Sequence, residues 1–338
     1  QPDIDFKKIW KSDFSYETDF GDVKGHAHIK RGLEIAAAGN HNVILIGPPG
    51  SGKTMLAKRI ETILPEMDLD EAIESAKIYS VVGDTTNKEL LIRKRPFRAP
   101  HHSISYSGLV GRSKPVAPGE ITLAHNGILF LDEFPEFHRD ILAMLRQPME
   151  DGVVHISRNY GTISYPSRFM LIAAMNPCMC GYFGHPKKEC HCTVPMIQRY
   201  ISKISGPLLD RIDIHLEVPP LDYKELSNEK PTETSKEIKK RVYRAREIQK
   251  RRYKNKRVAL NSMLSAREIQ KYCRLSDEAK ELLKLAMSEL NLSGRAYDKV
   301  LKIARTITDL AGEVEIGANH IAEAIGYRSL DRRMWLSL

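Results

Sequence analysis

The sequence lacks any apolar run long enough to cross a lipid bilayer. A membrane-spanning helix needs about 20 consecutive apolar residues, whereas the longest apolar runs here have the length of buried strands: Val43–Ile46, Ile128–Leu131 and Phe169–Met175. A secretory signal is also absent, because residues 1–30 are polar and charged. We therefore expect a cytoplasmic protein without a membrane partner. The chain starts at Gln1 and not at Met, so we expect a further segment before it in the full-length protein.

Cysteine is scarce, with five residues among 338, but its distribution is uneven. Four of the five form two C-x-C pairs within residues 178–192: Cys178, Cys180, Cys190 and Cys192. In a chain without an export signal, such clustering indicates a metal site before disulfides. Four thiolates complete a tetrahedral Zn²⁺ site with no open position, so we expect the metal to be structural. His185 and His191 are alternative ligands, and four thiols without a metal are the other interpretation.

The surplus of positive charge is confined to one segment. The net charge is +9, yet residues 236–257 alone hold 12 basic and 2 acidic residues, and the rest of the chain is almost neutral. The segment has helical spacing, with a narrow apolar stripe and mostly Lys and Arg around it. Such a surface attracts phosphate backbones without sequence preference. A solvated connector that is basic only for solubility explains the pattern equally well, so both interpretations stay open.

Helical and strand patterns alternate along the chain as far as residue 220, and only helical patterns follow. The alternation predicts a parallel sheet flanked by helices, and the helix-only tail predicts a separate helical subdomain. The expected fold class is therefore α/β followed by a small all-helical domain, with a boundary at Pro219-Pro220. Residues 93–119 predict an insertion or a long functional loop, because they are rich in Pro, Gly and basic residues such as Arg93, Lys94, Arg95, Arg98 and Lys114.

The segment GPPGSGKT fits the phosphate-binding pattern G-x-x-x-x-G-K-[ST] and lies between an apolar strand and a helix. Its glycines let successive backbone amides turn toward phosphate oxygens, and the following helix adds the positive end of its dipole. We expect Lys53 to contact the β and γ phosphates of ATP and Thr54 to bind Mg²⁺. The expected nucleotide-binding residues of this segment are Gly47, Pro48, Pro49, Gly50, Ser51, Gly52, Lys53, Thr54 and Met55.

Polar side chains follow two further apolar strands. GILFLDE ends with Asp132 and Glu133, and FMLIAAMN ends with Asn176. Ligands of parallel sheets bind where the strands end. We therefore expect Asp132 in the Mg²⁺ shell and Glu133 to orient and deprotonate the attacking water. Asn176 is expected to hydrogen-bond the γ-phosphate or that water. The alternatives are solvated acids after an ordinary strand and a turn-forming Asn before Pro.

Six segments carry a family resemblance over about residues 20–328: GPPGSGKT, RPFRAPHH, PGEITLAHNGILFLDE, AAMNPC, KISGPLLDRIDIH and SGRAYDKVLKIARTITDLA. Together they resemble the magnesium-chelatase-related AAA+ ATPases of the ComM/YifB family. RPFRAPHH and the cysteine arrangement are much more specific than the phosphate-binding motifs, which very many ATPases share. Family members usually carry a Lon-protease-like domain before the ATPase, and we expect this chain to be a fragment without it.

The resemblance implies roles for two arginines. Arg211, in GPLLDRIDIH, matches the family's arginine finger, which enters the ATP site of a neighbouring subunit and stabilises charge on the transferring phosphoryl group. Arg295, in SGRAYDKV, matches the sensor 2 arginine, and the sequence does not tell whose nucleotide it would contact. The alternatives are an Arg211 paired with Asp210 or Asp213 and a solvated Arg295. A finger supplied by a neighbour implies a closed ring, and the family suggests a hexamer.

The same resemblance gives an expected domain order. It comprises a leader (1–20), an AAA+ domain (21–220) with the insert 93–119 and the zinc loop 178–192, a basic linker helix (221–258), a helical lid (259–328) and a tail (329–338).

The resemblance favours a ring-shaped DNA motor, in particular a branch-migration helicase that helps to incorporate transforming DNA. Region 93–119 and the hairpin near His155–Arg158 look like elements that face the pore of ring helicases. One alternative is an ATPase subunit that drives metal insertion into a tetrapyrrole, although that subunit's pattern has no such cysteine cluster. Another is a protein-remodelling ATPase coupled to a Lon-like domain. His101 and His102 are interpreted as loop residues, because nothing downstream completes a metal site.

Overall fold

The computed structural model describes residues 16–82, 93–113, 116–158, 161–220, 232–254, 260–290 and 292–328. Five parallel strands form the central sheet in the order β2-β5-β8-β1-β9: β1 (Val43–Ile46), β2 (Phe97–Arg98), β5 (Ile128–Leu131), β8 (Met170–Met175) and β9 (Ile214–Glu217). Two antiparallel pairs stand apart from it: β3 (Gly111–Ser113) with β4 (Val116–Pro118), and β6 (Val153–Arg158) with β7 (Gly161–Pro166). The parallel sheet that the sequence predicts is confirmed.

Helices cover both faces of this sheet and continue after it. In the first part of the chain they are α1 (Ala27–Gly39), α2 (Lys53–Arg59), α3 (Leu69–Val82), α4 (Tyr106–Leu109), α5 (Glu120–Leu123), α6 (Arg139–Met144), α7 (Arg146–Asp151), α8 (Val194–Ile201) and α9 (Gly206–Leu209). The last part contains α10 (Ser235–Arg252), α11 (Ala266–Tyr272), α12 (Asp277–Glu289), α13 (Gly294–Ala311) and α14 (Ala318–Gly326). No helix in these ranges is long and apolar enough to span a membrane.

Alternate side chains of the central strands enter two hydrophobic cores. Leu45 and Phe130 belong to the core on one face, which also takes residues from α1, α10 and α13. Ile46 and Leu131, one position further along the same strands, belong to the core on the other face, with residues from α5, α6 and α8. Successive strand residues point to opposite faces. Burial on both faces explains why these strands are uninterrupted apolar runs.

Region 93–119 contributes to the sheet itself, so the prediction of an insertion or loop is too broad. Strand β2 pairs with the start of β5, with Phe97 opposite Ile128, and forms the edge of the sheet. The Phe97 and Phe130 rings pack with centroids 5.9 Å apart. A strand of two residues leaves no alternation to recognise in a sequence. Lys114 lies outside the described residues.

The basic helix α10 packs on the body of the protein through its apolar stripe, with Ile238, Val242 and Ala245 in the core. Arg246 donates from Nη2 to the Ala37 carbonyl at the end of α1 (2.6 Å). A second polar link joins the sheet to the C-terminal helices, because the buried His41 Nε2 lies 2.7 Å from Thr306 Oγ1 on α13. The C-terminal helices therefore share one core with the sheet. The start of the predicted linker, residues 221–231, lies outside the described ranges.

Candidate active site and metal centre

The phosphate-binding loop follows β1 and leads directly into α2. Gly50 and Gly52 have φ angles of 77° and 88°, in the left-handed region that favours glycine. At Gly47 the reason for glycine is steric, because a Cβ atom there would lie 2.2 Å from the Val218 carbonyl oxygen and overlap it. The three glycines of the motif thus each have a conformational or steric reason in this fold.

Four of the predicted site residues meet at the carboxyl edge of the sheet, because β5, β8 and β1 are neighbours. Lys53 Nζ donates to the Gly47 carbonyl (2.6 Å) and to Asn176 Oδ1 (3.1 Å). Thr54 Oγ1 donates to Asp132 Oδ2 (2.7 Å). Burial lowers the pKa of Lys53, and the Asp132 carboxylate partly offsets that effect. A cation, a hydroxyl and a carboxylate are thereby assembled beside a loop of turned backbone amides.

Glu133 has a conformation unusual for a residue with a side chain. Its φ is 52°, in the left-handed region, and its backbone N–H donates to Asp132 Oδ1 (2.9 Å). Its carboxylate Oε2 lies 2.9 Å from Nδ1 of His102, which follows the edge strand β2. The side chain is otherwise open to solvent, with 57% exposure. His102 is therefore a direct partner of the predicted catalytic carboxylate, and its interpretation as a plain loop residue is incomplete.

Arg211 and Arg295 lie together, away from the phosphate-binding loop. Arg211 pairs with Glu150, and not with either aspartate considered from the sequence. Arg295 Nη1 lies 3.1 Å from Asp210 Oδ2. Both arginines line the same cavity of about 610 Å³, between the sheet and the C-terminal helices.

The position of this cavity can be stated relative to β1. Asn42 precedes β1 and donates from Nδ2 to the Arg211 carbonyl (3.2 Å), whereas the phosphate-binding loop follows β1. The four residues of β1 span about 13 Å at the usual strand rise. The two arginines therefore lie at the amino-terminal ends of the central strands, whereas the phosphate-binding loop of the same chain lies at the carboxyl-terminal ends.

The four clustered cysteines converge, and their ligand atoms all lie within 4.8 Å of one another. The sulfur of Cys178 is 3.7 Å from that of Cys190, and Cys180 Sγ lies 3.6 Å from Cys190 Sγ. Four sulfurs at about 2.3 Å from a tetrahedral Zn²⁺ would be about 3.8 Å apart, so the donor set fits this ion. Burial opposes ionisation of Cys180, but hydrogen bonds from the Tyr182 backbone and from Cys178 lower its pKa to about 6. His185 and His191 are not in the cluster.

Comparison with known proteins assigns the chain to a family. The family model of magnesium chelatase, subunit ChlI, matches residues 19–226, and the model of the ChlI C-terminal part matches residues 232–328. The chain belongs to the magnesium-chelatase-related AAA+ ATPase family. It is 49% identical over 316 residues to the uncharacterized protein YifB of Salmonella typhimurium, and 47% identical over 316 residues to the competence protein ComM of Haemophilus influenzae.

These alignments cover 93% of this chain but 61% and 60% of the two relatives, so the chain spans about three fifths of their length. A more distant similarity, 25% identity over 169 residues, links 46% of the chain to 17% of the DNA replication licensing factor Mcm2 of Drosophila melanogaster. The resemblance to ComM/YifB that the sequence motifs indicated is confirmed, and the chain is an AAA+-type ATPase of this group.

In this AAA+ ATPase, the residue that sequence reasoning missed is His102. The signal is the segment RPFRAPHH, but its strand has only two residues and so leaves no alternation to recognise. Because β2 lies beside β5, His102 and Glu133 follow the carboxyl-terminal ends of two neighbouring strands and come close together.

Proposed function

We propose that this chain is the ATP-hydrolysing part of a ring-shaped motor that acts on DNA. The observation that supports hydrolysis is the convergence of Lys53, Thr54, Asp132 and Asn176 at one sheet edge, with Glu133 adjoining it. Lys53 and the loop amides would bind the phosphates, and Thr54 with Asp132 would hold Mg²⁺, which would neutralise phosphate charge. Glu133 orients the attacking water and accepts its proton.

The proposal of a ring is supported by the separation between the two arginines and the phosphate-binding loop of their own chain. Arg211 and Arg295 lie about one strand length from their own chain's loop. They would reach a phosphoryl group only if the surface that carries them faced another subunit's loop. Such a head-to-tail contact between copies closes into a ring when its rotation allows. We therefore propose that both arginines act on a neighbouring subunit's ATP, in a homo-oligomer, most simply a hexamer.

The DNA part of the proposal rests on exposed basic side chains that form no ion pair with a described residue. Four described basic residues of region 93–119 are paired with glutamates: Arg93 with Glu66, Lys94 with Glu61, Arg95 with Glu71 and Arg98 with Glu120. On α10, Arg241 and Arg252 are likewise bound to carboxylates. These side chains serve the fold.

Other α10 cations are exposed and have no ion pair with any described residue: Lys236, Lys240, Arg244, Lys250 and Arg251. Lys236, Lys240 and Arg244 are four residues apart, and Lys250 and Arg251 follow about two turns later, so all five lie along one side of the helix. They surround Tyr243, which is 55% exposed. We call these six residues the basic face of α10. Lysine and arginine around an exposed aromatic ring match a nucleic acid backbone and its bases. The names of two relatives, a competence protein and a DNA replication licensing factor, agree with this partner.

Removing two charges from the basic face tests this interface. We expect the double variant Lys240→Gln and Arg244→Gln to bind DNA more weakly and to lower the slope of log affinity against log salt by about 2. DNA-stimulated ATPase activity should fall with it. The measurement is DNA binding over a salt series with single-stranded, duplex, forked and four-way DNA. The control Arg267→Gln and Lys284→Gln removes two exposed charges from α11 and α12. An equal loss in the control, or none in the test variant, contradicts the proposal.

The family name supports a second candidate, an ATPase subunit of a metal chelatase complex. The same experiment separates the two functions. A chelatase subunit has no reason to respond to DNA, so its ATPase rate would be unchanged by every DNA structure at low salt. Stimulation that declines with salt supports the DNA motor.

His102 is expected to restrain Glu133. A polar contact between partly exposed side chains contributes up to about 1 kcal/mol, and here it competes with water for the carboxylate. We expect His102→Ala to raise ATP turnover without DNA by a factor of up to about five, measured as phosphate release. The control is His138→Ala, which removes another exposed histidine paired with a carboxylate, Asp140. Unchanged or reduced turnover in His102→Ala would show that the contact does not limit Glu133.

A further inference from the structure

The loop that carries the four cysteines lies directly on the ATP site. It starts two residues after Asn176, and the backbone of Gly181 passes beside the phosphate-binding loop. A Cβ atom at Gly181 would lie 2.6 Å from Pro49 Cδ and 3.8 Å from Asn176 Cγ. Gly181 is buried, and its φ of 83° also favours glycine. The backbone of Gly181 therefore lies so close to Pro49 that a methyl group there would overlap it, and the same methyl group would reach Asn176.

The position of Gly181 depends on the cysteines. It is the chain neighbour of Cys180, and its N–H donates to the Cys178 carbonyl (3.0 Å). Cys178 itself is fully buried, and its sulfur accepts from the Phe183 N–H (3.4 Å). An ion that bound the sulfurs of Cys178 and Cys180 would restrain the backbone of Gly181, which follows Cys180 directly and is hydrogen-bonded to Cys178.

The chain also returns to Asn176 after the cysteine cluster. Helix α8 begins two residues after Cys192 and carries the buried Tyr200. Burial raises the pKa of Tyr200, and a hydrogen bond to the Asn176 backbone partly offsets that effect. Asn176 is thus contacted by the helix that follows the cluster, and Gly181 within the cluster lies close to it.

We propose that the metal-bound cysteine loop positions the phosphate-binding loop and Asn176, with Gly181 as the positioning residue in contact with Pro49, so that metal occupancy sets the affinity for ATP. This inference rests on the structural Zn²⁺ site and the ATP site proposed above. The physical basis is preorganisation: a loop already held in its binding conformation loses less conformational entropy when the nucleotide binds. Without the ion, the four sulfurs no longer tie the loop ends together.

Two glycines of the same loop provide a matched pair of variants. Gly181 and Gly184 have similar φ angles, 83° and 73°, so Ala at either position causes similar backbone strain. They differ in space, because a Cβ at Gly184 has no atom within 4 Å. We expect Gly181→Ala to keep about one Zn²⁺ per chain and to weaken ATP binding about tenfold or more, since the methyl group displaces Pro49. Gly184→Ala should keep both properties.

The measurements are zinc content by elemental analysis and ATP affinity by calorimetry, with circular dichroism to verify folding. Removing zinc from the wild-type protein with a chelator should weaken ATP binding to a similar extent. The same treatment of Gly181→Ala should have a smaller effect, because both changes act on one contact. Chelation needs no variant, so it tests the inference even if Gly181→Ala does not fold.

The possible failures are distinguishable. Wild-type protein without zinc would contradict the metal site, and wild-type protein that binds zinc but no ATP would contradict the proposed ATPase. If zinc and ATP both bind, the positioning inference is overturned by either of two results. One is an ATP affinity that chelation leaves unchanged, and the other is an equal loss of ATP affinity in Gly184→Ala and Gly181→Ala.

Discussion

Replacing Glu133 with Gln is expected to stop ATP hydrolysis while ATP binding is kept. The amide has nearly the shape of the carboxylate but cannot accept a proton from water. General base catalysis contributes about 10² to 10⁴ in rate, so turnover should fall by at least about a hundredfold. Lys53, Thr54 and Asp132 are unchanged in this variant. Lys53 donates to the Gly47 carbonyl and Thr54 donates to Asp132, so neither hydrogen bond includes the Glu133 side chain. Phosphate release and ATP affinity, measured on the same preparation, check both parts.

Glu136→Gln is the matched control. Glu136 belongs to the short turn after Glu133, and its exposed carboxylate pairs with Lys203 (3.0 Å). The same substitution there removes a carboxylate near the site without touching Asp132 or His102, and turnover should stay close to wild type. If Glu133→Gln hydrolysed ATP at a rate like that of this control, Glu133 would lose its catalytic role.

The convergence of Lys53, Asp132 and Asn176 could be predicted from the sequence because its signals are local. Strands β1, β5 and β8 are buried on both faces, so each is an apolar run. A polar residue directly follows β5 and β8, and the phosphate-binding loop follows β1. Parallel strands bring those residues to one edge whatever their order in the sheet. Lys53, Asp132 and Asn176 could therefore be placed together before the structure was known.

His102 and the arginines could not be placed in that way, because their positions depend on contacts between distant parts of the chain. His102 meets Glu133 only because the two-residue strand β2 pairs with β5. Arg295 lies beside Asp210 because α13 packs against the start of β1, through contacts such as His41 with Thr306, 265 residues apart. Sequence periodicity gives the buried side of a helix but not the element that covers it.

Replacing Arg211 with Ala is expected to leave ATP binding intact and to lower turnover by about a thousandfold, the usual contribution of an arginine finger. The phosphate-binding loop of the same chain lies at the other edge of the sheet, so its affinity for ATP should not depend on Arg211. Mixing with Lys53→Ala tests the action between subunits. A Lys53→Ala subunit has a defective phosphate-binding loop but an intact Arg211, and an Arg211→Ala subunit has the reverse. In an equal mixture, about a quarter of the head-to-tail contacts place an intact Arg211 against an intact loop. Those contacts should restore part of the activity.

A structural role for Arg211 predicts a different result, and Glu150→Gln separates the two. Glu150 is exposed and pairs with Arg211, which lowers the pKa of the Glu150 carboxyl through its hydrogen bond and charge. If Arg211 only stabilised this part of the fold, removing its partner would reduce turnover as Arg211→Ala does. If Arg211 acts on a neighbouring phosphoryl group, Glu150→Gln frees the guanidinium and turnover is retained. If Glu150→Gln loses turnover, and the mixture of Arg211→Ala with Lys53→Ala recovers none, the role of Arg211 is structural. The argument for a ring from these arginines would then fail.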